Sequence, residues 1–391
     1  MFNVQCSTFN VQRSMINFRD LKHQYQVLKP QIDQAVLDVM QSGAFIMGQP
    51  VKELEAQLSE YVGVRHSLTC ANGTDALTLA LKAWGIGPGD AVFVPDFTFF
   101  SSAEVVSLEG ATPVFVDVDE DTFNISSSDL ERAIIQTLAE DKLSPKVIVA
   151  VDLFGLPANY PAIRQIADKY HLLILEDGAQ GFGGEIMGRK ACSFGDISTT
   201  SFFPAKPLGC YGDGGAVFTD NDEWAALIES YRVHGKGTFK YDNVRIGLNS
   251  RLDTVQAAIL QVKLRAFRDY ELADVNRVAA RYTELLKDIP GIKTPVIPTG
   301  FYSSWAQYTL RLESEAKRDA LQASLKAQGI PSMVYYPKPM HAQTAFQYLA
   351  SDNSHLRSAT RLSETVLSLP MHPYMTDEDI QSVVDAIKAS L

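Results

Sequence analysis

The chain is 391 residues long and acidic, with 35 basic against 46 acidic side chains and a formal net charge of −11. That balance excludes nucleic acid as the main partner, because no basic stripe offsets it, and no apolar run reaches the roughly 18 residues that a bilayer crossing needs. Hydrophobic content of 46% at this length predicts a soluble globular protein with one large and one smaller domain.

Residues 1–14 repeat Phe2-Asn-Val-Gln5 at Phe9-Asn-Val-Gln12. They lack the basic and apolar regions of a signal peptide and read as an N-terminal extension. Cys6, Cys70, Cys192 and Cys210 show neither CxxC nor zinc spacing. Free thiols in a reducing compartment, hence the cytoplasm, and no metal centre are expected.

Helical spacing runs over Leu28–Met40 and Val51–Tyr61, separated by the Gly48-Gln-Pro50 break. Strands and helices then alternate. Strands are expected at Ser67–Cys70, Ala91–Val94, Pro113–Asp117, Lys146–Asp152, Leu172–Glu176, Ser198–Phe203 and Gly215–Thr219. Helices are expected at Asp75–Trp84, Ser102–Leu108, Ser128–Leu138 and Tyr160–Tyr170. This alternation predicts an α/β fold with a mainly parallel sheet covered on both faces. A long helical stretch from near Arg251 to about Leu286 leads into a smaller α+β region. Its strands are expected at Ala306–Leu312 and Ser332–Tyr335, and its helices at Glu315–Gln328 and Asp377–Ser390. The expected domains are 15–265 and 266–391.

Three glycine clusters are told apart by the element that comes after each. Gly85-Ile-Gly-Pro-Gly89 and Gly212-Asp-Gly-Gly215 lead into strands and read as turns. Asn72-Gly-Thr-Asp75 comes after a strand and opens a helix, where free amides, the Thr74 hydroxyl and the helix dipole can hold an anion. A plain N-cap by Thr74 or Asp75 is the simpler reading of the same residues. Lys206 stands just past an apolar run, between Pro204 and Pro207. A desolvated lysine loses its charge readily and becomes a nucleophile toward carbonyls. Asp177 ends the buried-strand pattern Leu172-Leu-Ile-Leu-Glu-Asp177, where a pyridoxal phosphate site needs a carboxylate opposite the pyridine nitrogen.

Taken in order, Phe45-Ile-Met-Gly48, Ala71-Asn-Gly-Thr-Asp-Ala76, Pro95-Asp-Phe-Thr-Phe99, Glu176-Asp-Gly-Ala-Gln180, Ser201-Phe-Phe-Pro-Ala-Lys-Pro-Leu-Gly209 and Gly247-Leu-Asn-Ser-Arg-Leu-Asp253 resemble the DegT/StrS family of sugar aminotransferases. The resemblance runs from about Met15 to near the end. It implies fold type I, with a seven-stranded, mostly parallel sheet in a large domain and a smaller C-terminal α+β domain. It also implies pyridoxal 5′-phosphate bound as an aldimine to Lys206, which then shuttles a proton. Asp177 would bind the pyridine N–H and Gln180 the phenolic oxygen. Phe99 would stack on the cofactor, with Phe97 and Phe100 as alternatives, while Gly73, Thr74 and Ser201 would hold the phosphate. Asn249 would reach the phosphate of a neighbouring subunit, making a homodimer with composite sites. Arg251, Tyr335 and Tyr336 would meet a nucleotide-linked keto-sugar, with a structural salt bridge or core packing as their alternatives.

The residues look most like those of enzymes that aminate the C3 ketone of UDP-2-acetamido-2-deoxy-3-oxo-glucuronate, with L-glutamate as donor, for bacterial surface polysaccharide. Neighbouring subfamilies act on 3- or 4-keto-6-deoxy sugars. Family dehydratases carry histidine in place of the lysine, so Lys206 speaks against dehydration. A cofactor-binding regulator without turnover is the reading from another class. His341 and His372 stand in otherwise apolar loops and are candidate ligands, while His234 lies in Arg232-Val-His-Gly235, which resembles the family's mobile loop near the active site, and is not expected to act as a base because Lys206 fills that role.

Overall fold

The computed structural model describes residues 16–239, 241–349 and 352–390. The N-terminal extension and Cys6 lie outside the described residues. Helices α1 (Leu21–Ser42) and α2 (Gln49–Val62) come first, and each ends at a glycine in the left-handed region, Gly43 (φ 66°) and Gly63 (φ 83°). Glycine suits those positions because it carries no Cβ to strain. Helix α2 buries Val51, Leu54, Leu58 and Val62, one face at helical spacing.

The α/β series continues as β1 (His66–Cys70), α3 (Gly73–Trp84), β2 (Asp90–Pro95), α4 (Ser101–Leu108), β3 (Thr112–Val116), α5 (Ser127–Glu140), β4 (Ser144–Val151), α6 (Tyr160–Tyr170) and β5 (Leu173–Asp177). A small hairpin, β6 (Glu185–Ile186) and β7 (Arg189–Lys190), precedes β8 (Ile197–Ser201), β9 (Gly215–Thr219) and α7 (Asp222–Tyr231). Seven strands form one sheet in the order β1-β9-β8-β5-β4-β2-β3. Only β9 runs against the rest, antiparallel to both β1 and β8. Because helices cover both faces, the strands are mostly buried. Val92, Phe93, Val94, Val147, Ile148 and Val149 are fully enclosed, and each such side chain stabilises the fold by about 1.5–3 kcal/mol.

Helix α8 (Thr254–Ala266) continues through a π turn into α9 (Leu272–Leu286). Strands β10 (Ile292–Lys293), β11 (Phe301–Tyr302) and β12 (Tyr308–Leu312), helices α10 (Glu315–Ala327) and α11 (Arg357–Thr365), strand β13 (Val366–Leu369) and helix α12 (Asp377–Lys388) complete the chain. Here β10, β12 and β13 form an antiparallel sheet, while β11 extends the β6–β7 hairpin. Tyr282, Tyr308, Leu310, Leu367, Val383 and Ile387 form a second core.

One expected strand is absent. Over Ser332–Tyr335 only Met333 pairs, in an isolated bridge to Ser368. The segment runs on into Pro337 and Pro339, which cannot donate to a ladder, and β13 takes the place beside β12. Helices α7 and α11 carry no expectation from the sequence pattern. Among the described residues no helix is long and apolar enough to cross a membrane.

Candidate active site

The parallel strands end on one edge of the sheet, where open α/β folds bind ligands. Strand β9 starts there, and its Gly215 is opposite both Cys70 of β1 and Ser201 of β8. The loops after β1 and β8 are thereby drawn together. A Cβ on Gly73 would lie 2.7 Å from Cβ of Ser201, too close for any side chain but hydrogen. The cap of α3 is Asn72, not Thr74 or Asp75: its Oδ1 accepts from Asp75 N at 2.8 Å. The amides of Gly73 and Thr74, in the first turn, have no intrahelical acceptor. With the hydroxyls of Thr74 and Ser201 they offer an anion cradle.

Asp177 ends β5, buried, with Oδ2 accepting from Ser102 Oγ at 2.7 Å and Oδ1 accepting from Ala179 N at 3.2 Å. Burial pushes its carboxyl above the usual range, opposed by the Ser102 hydrogen bond and by the charge of Lys206. Ser102 Oγ also lies 3.2 Å from Thr98 Oγ1. No motif in the sequence marks Ser102, because its partner is 75 positions away. Replacing Ser102 with alanine is expected to lower turnover about tenfold, since one neutral donor to a charged group contributes about 1.5 kcal/mol. An S102A enzyme with wild-type kcat would show that Asp177 is held without it.

The preceding residue, Glu176, faces the other side of the sheet. Its carboxylate accepts from the amides of Cys192, Phe194 and Gly195 and from Ser198 Oγ, pinning the 192–195 loop.

Gln180 uses Oε1 to accept from Phe154 N at 2.7 Å and Nε2 to donate to Tyr336 OH at 3.0 Å, leaving one amide N–H. The Tyr336 ring lies 6.1 Å from that of Phe99. Phe99 is 52% exposed, whereas Phe97 is 1% exposed within the core and Phe100 packs against it. Of the three rings, only that of Phe99 is free to meet a ligand face. Tyr335 is half-buried between Phe18 and Tyr336. His341 is fastened to buried Asp96, its N on Oδ1 at 2.7 Å and its Nδ1 beside Oδ2 at 2.6 Å. This clasp ties the Pro339–Met340 turn to the Phe97–Phe99 loop, across 245 positions.

Lys206 sits in a tight turn, its amide donating to Phe203 O at 2.9 Å. Desolvation lowers its ammonium to about 8; Asp177 opposes the shift and Arg19 adds to it. The neutral, nucleophilic amine therefore grows as pH rises through about 8. Cofactor-free protein should take up pyridoxal phosphate faster in the same window, with roughly a tenth of the amine neutral one pH unit below it. A stopped-flow rate that stays flat from about pH 6 to pH 9 would contradict this.

Asn249 is exposed and accepts from Arg251 Nη2 at 2.6 Å. Between them, Ser250 is buried and accepts from Ala71 N at 3.1 Å, beside the cradle. Within this chain neither Asn249 nor Arg251 is hydrogen-bonded to Gly73, Thr74 or Ser201. His234 lies in the left-handed region (φ 60°) and its amide donates to Leu248 O at 2.8 Å. Cys70, Cys192 and Cys210 are free and buried. Among the described residues no group of three His, Cys, Asp or Glu could hold a metal ion.

These residues fit pyridoxal phosphate. A phosphate dianion finds free amides and hydroxyls, a pyridine nitrogen finds a carboxylate with an acceptor position open, and an aldehyde finds an amine near neutrality. On a seven-stranded sheet of this topology, that chemistry defines a fold-type I aminotransferase that uses pyridoxal phosphate. The chain belongs to the DegT/DnrJ/EryC1/StrS aminotransferase family, whose sequence profile matches residues 26–388. It is 44% identical over 373 residues to the UDP-2-acetamido-2-deoxy-3-oxo-D-glucuronate aminotransferase of Pseudomonas aeruginosa, covering 95% of this chain and 99% of that one. The crystal structure of a DegT DnrJ EryC1 StrS aminotransferase from Brucella abortus superposes with a TM-score of 0.92 at 48% identity, covering 96% and 99% of the two chains. NtdA from Bacillus subtilis, with bound cofactor PMP, superposes at 0.84 and 29% identity, covering 93% of this chain and 82% of that one.

Proposed function

We propose that the protein transfers an amino group from L-glutamate to the C3 ketone of UDP-2-acetamido-2-deoxy-3-oxo-glucuronate, in the cytoplasm, for bacterial surface polysaccharide. The observation that carries the substrate is the 44% identity, over nearly the full length of both chains, to the P. aeruginosa enzyme of that name. Pyridoxal phosphate, when bound, supplies the electron sink for the pair left on the substrate carbon. Lys206 Nζ takes and returns the proton at the amino-bearing carbon, a role suited to an amine near neutrality. Asp177 holds a proton on the ring nitrogen, and Ser102 holds Asp177. Gly73, Thr74 and Ser201 bind the phosphate, Phe99 lies against the ring, and Gln180 meets the phenolic oxygen.

In this reading the sites are composite across a homodimer. Asn249 serves the neighbouring phosphate, while Arg251, Tyr335 and Tyr336 meet the nucleotide sugar. The exposure of Asn249 and of the nearby apolar side chains Phe45, Ile46, Val244 and Ile246 supports a covered face there.

Running the reaction backwards tests the substrate. UDP- and dTDP-linked amino sugars are offered with 2-oxoglutarate while glutamate is measured. Fastest release from the UDP-linked 3-amino uronate is expected. A preference for a 3- or 4-amino-6-deoxy sugar would move the enzyme to a neighbouring subfamily. Cofactor binding with no glutamate from any sugar would leave a regulator without turnover.

A further inference from the structure

A narrow recess opens beside Lys206, toward the N-terminal segment. Arg19, Gln24, Lys263, Glu271 and His372 share its wall with Lys206. Lys263, on α8, is 2% exposed and stands 4.8 Å over the Tyr211 ring. Among the described residues its ammonium makes no hydrogen bond and has no carboxylate within ion-pair distance. Arg19 donates to the carbonyl of Ala306 and likewise has no carboxylate partner among them. Gln24 Oε1 and His372 Nδ1, on side chains that are 8% and 7% exposed, are buried without a hydrogen-bond partner.

Both oxygens of Asp20 and one of Glu271 are already engaged. Glu271 Oε1 accepts from Gln24 Nε2 at 2.8 Å and from Tyr374 OH at 2.5 Å. Asp20, at the rim, accepts from His23 N as the cap of α1 and from Asn17 Nδ2. With Lys206 committed to the cofactor, Arg19 and Lys263 remain beside these carboxylates without an ion-pair contact among the described residues. Buried polar atoms without partners call for an occupant, and a buried ammonium with no hydrogen-bond acceptor in reach calls for an anionic one.

We propose that this cavity is the subsite for the α-carboxylate of the amino donor, with Arg19 and Lys263 as its cationic contacts and His372 as a neutral one. Both substrates must bring their reacting carbon to Lys206 Nζ. Only the amino acid carries a carboxylate directly on that carbon. In the proposed uronate acceptor the carboxylate is separated from C3 by two ring atoms, and the attached nucleotide keeps that substrate out of a narrow recess. Arginine uses one of its five donors on Ala306 and keeps a fork for the carboxylate. The inference rests on the aminotransferase activity and adds how the donor is selected.

Two measurements on the cofactor-loaded protein test it. Calorimetry with glutarate, a dicarboxylate without an amine, should show binding weakened about tenfold or more in both R19Q and K263M. In steady state the KM for glutamate should rise about tenfold in each, with the KM for the nucleotide sugar unchanged. R19K, which keeps the charge and loses the fork, should fall between R19Q and wild type. Glutarate affinity and glutamate KM within about threefold of wild type in R19Q would overturn the assignment, as would an equal rise in the KM for the sugar. Should K263M not fold, bromide-soaked crystals of the wild-type holoenzyme decide. An anomalous peak between Arg19 and Lys263 is expected, and none there would count against the subsite. Glutarate and bromide read the cavity without turnover, so failure of the subsite is distinguishable from failure of the amination reading.

Discussion

Lys206→Ala protein is expected to release no measurable glutamate from any amino sugar offered with 2-oxoglutarate, a loss of about 10⁴-fold or more. Two functions vanish with one amine. The nucleophile that fastens the cofactor is gone, and so is the group that carries a proton to and from the substrate carbon. The fold should survive, because Lys206 is only partly buried and its backbone amide still closes the turn onto Phe203. Removing an ammonium held near 8 by desolvation also relieves a cost of the folded state, since burial disfavours its charge. Thermal unfolding without cofactor should therefore match or exceed wild type. The long-wavelength absorbance of covalently held pyridoxal phosphate should disappear. Glutamate release by the variant would remove Lys206 from the reaction.

Asp177→Asn is the second large effect. The amide keeps the shape and can still accept from Ala179 N, but it cannot hold a proton on a ring nitrogen. Turnover should fall by about 10²–10⁴-fold, the range seen when a charge-stabilising group is removed from an enclosed site. Two companion shifts separate this from simple damage. Asp177 raises the Lys206 ammonium against desolvation, so its loss should move that group below 8 and shift the acid limb of cofactor uptake to lower pH. The carboxyl itself is raised by burial, so above the unfolded value its charge costs folding free energy, increasingly as pH rises. The cofactor-free variant should then be at least as stable as wild type near pH 7. A D177N enzyme with kcat within about threefold of wild type would take Asp177 out of the chemistry.

Lys206 and Asp177 were legible in the sequence because each breaks a local rule. A lysine between prolines after a buried strand, and an acid at the end of an apolar run, are locally unfavourable and need a reason. The parallel sheet was legible because strand and helix patterns alternate for most of the chain. What the sequence hid is long-range. Ser102 meets Asp177, and Asp96 meets His341, through partners that no local window joins. The order of strands was hidden too, including the reversal of β9 that draws Gly73 to Ser201. The choice among Phe97, Phe99 and Phe100 depends on which ring the core has already taken, a matter of packing and not of spacing. Val334-Tyr335-Tyr336 has strand composition, yet the prolines after it and the nearby β13 override that preference.

Glu176 and Asp177 show what alternation along a strand imposes on the future of this enzyme. Adjacent carboxylates point to opposite sides, one bracing a loop and the other, in the proposed reaction, serving catalysis. Sliding β5 by a single position would exchange their tasks and ruin both. Insertions and deletions are therefore barred from this strand, and new sugar preferences must arise on the loops around it.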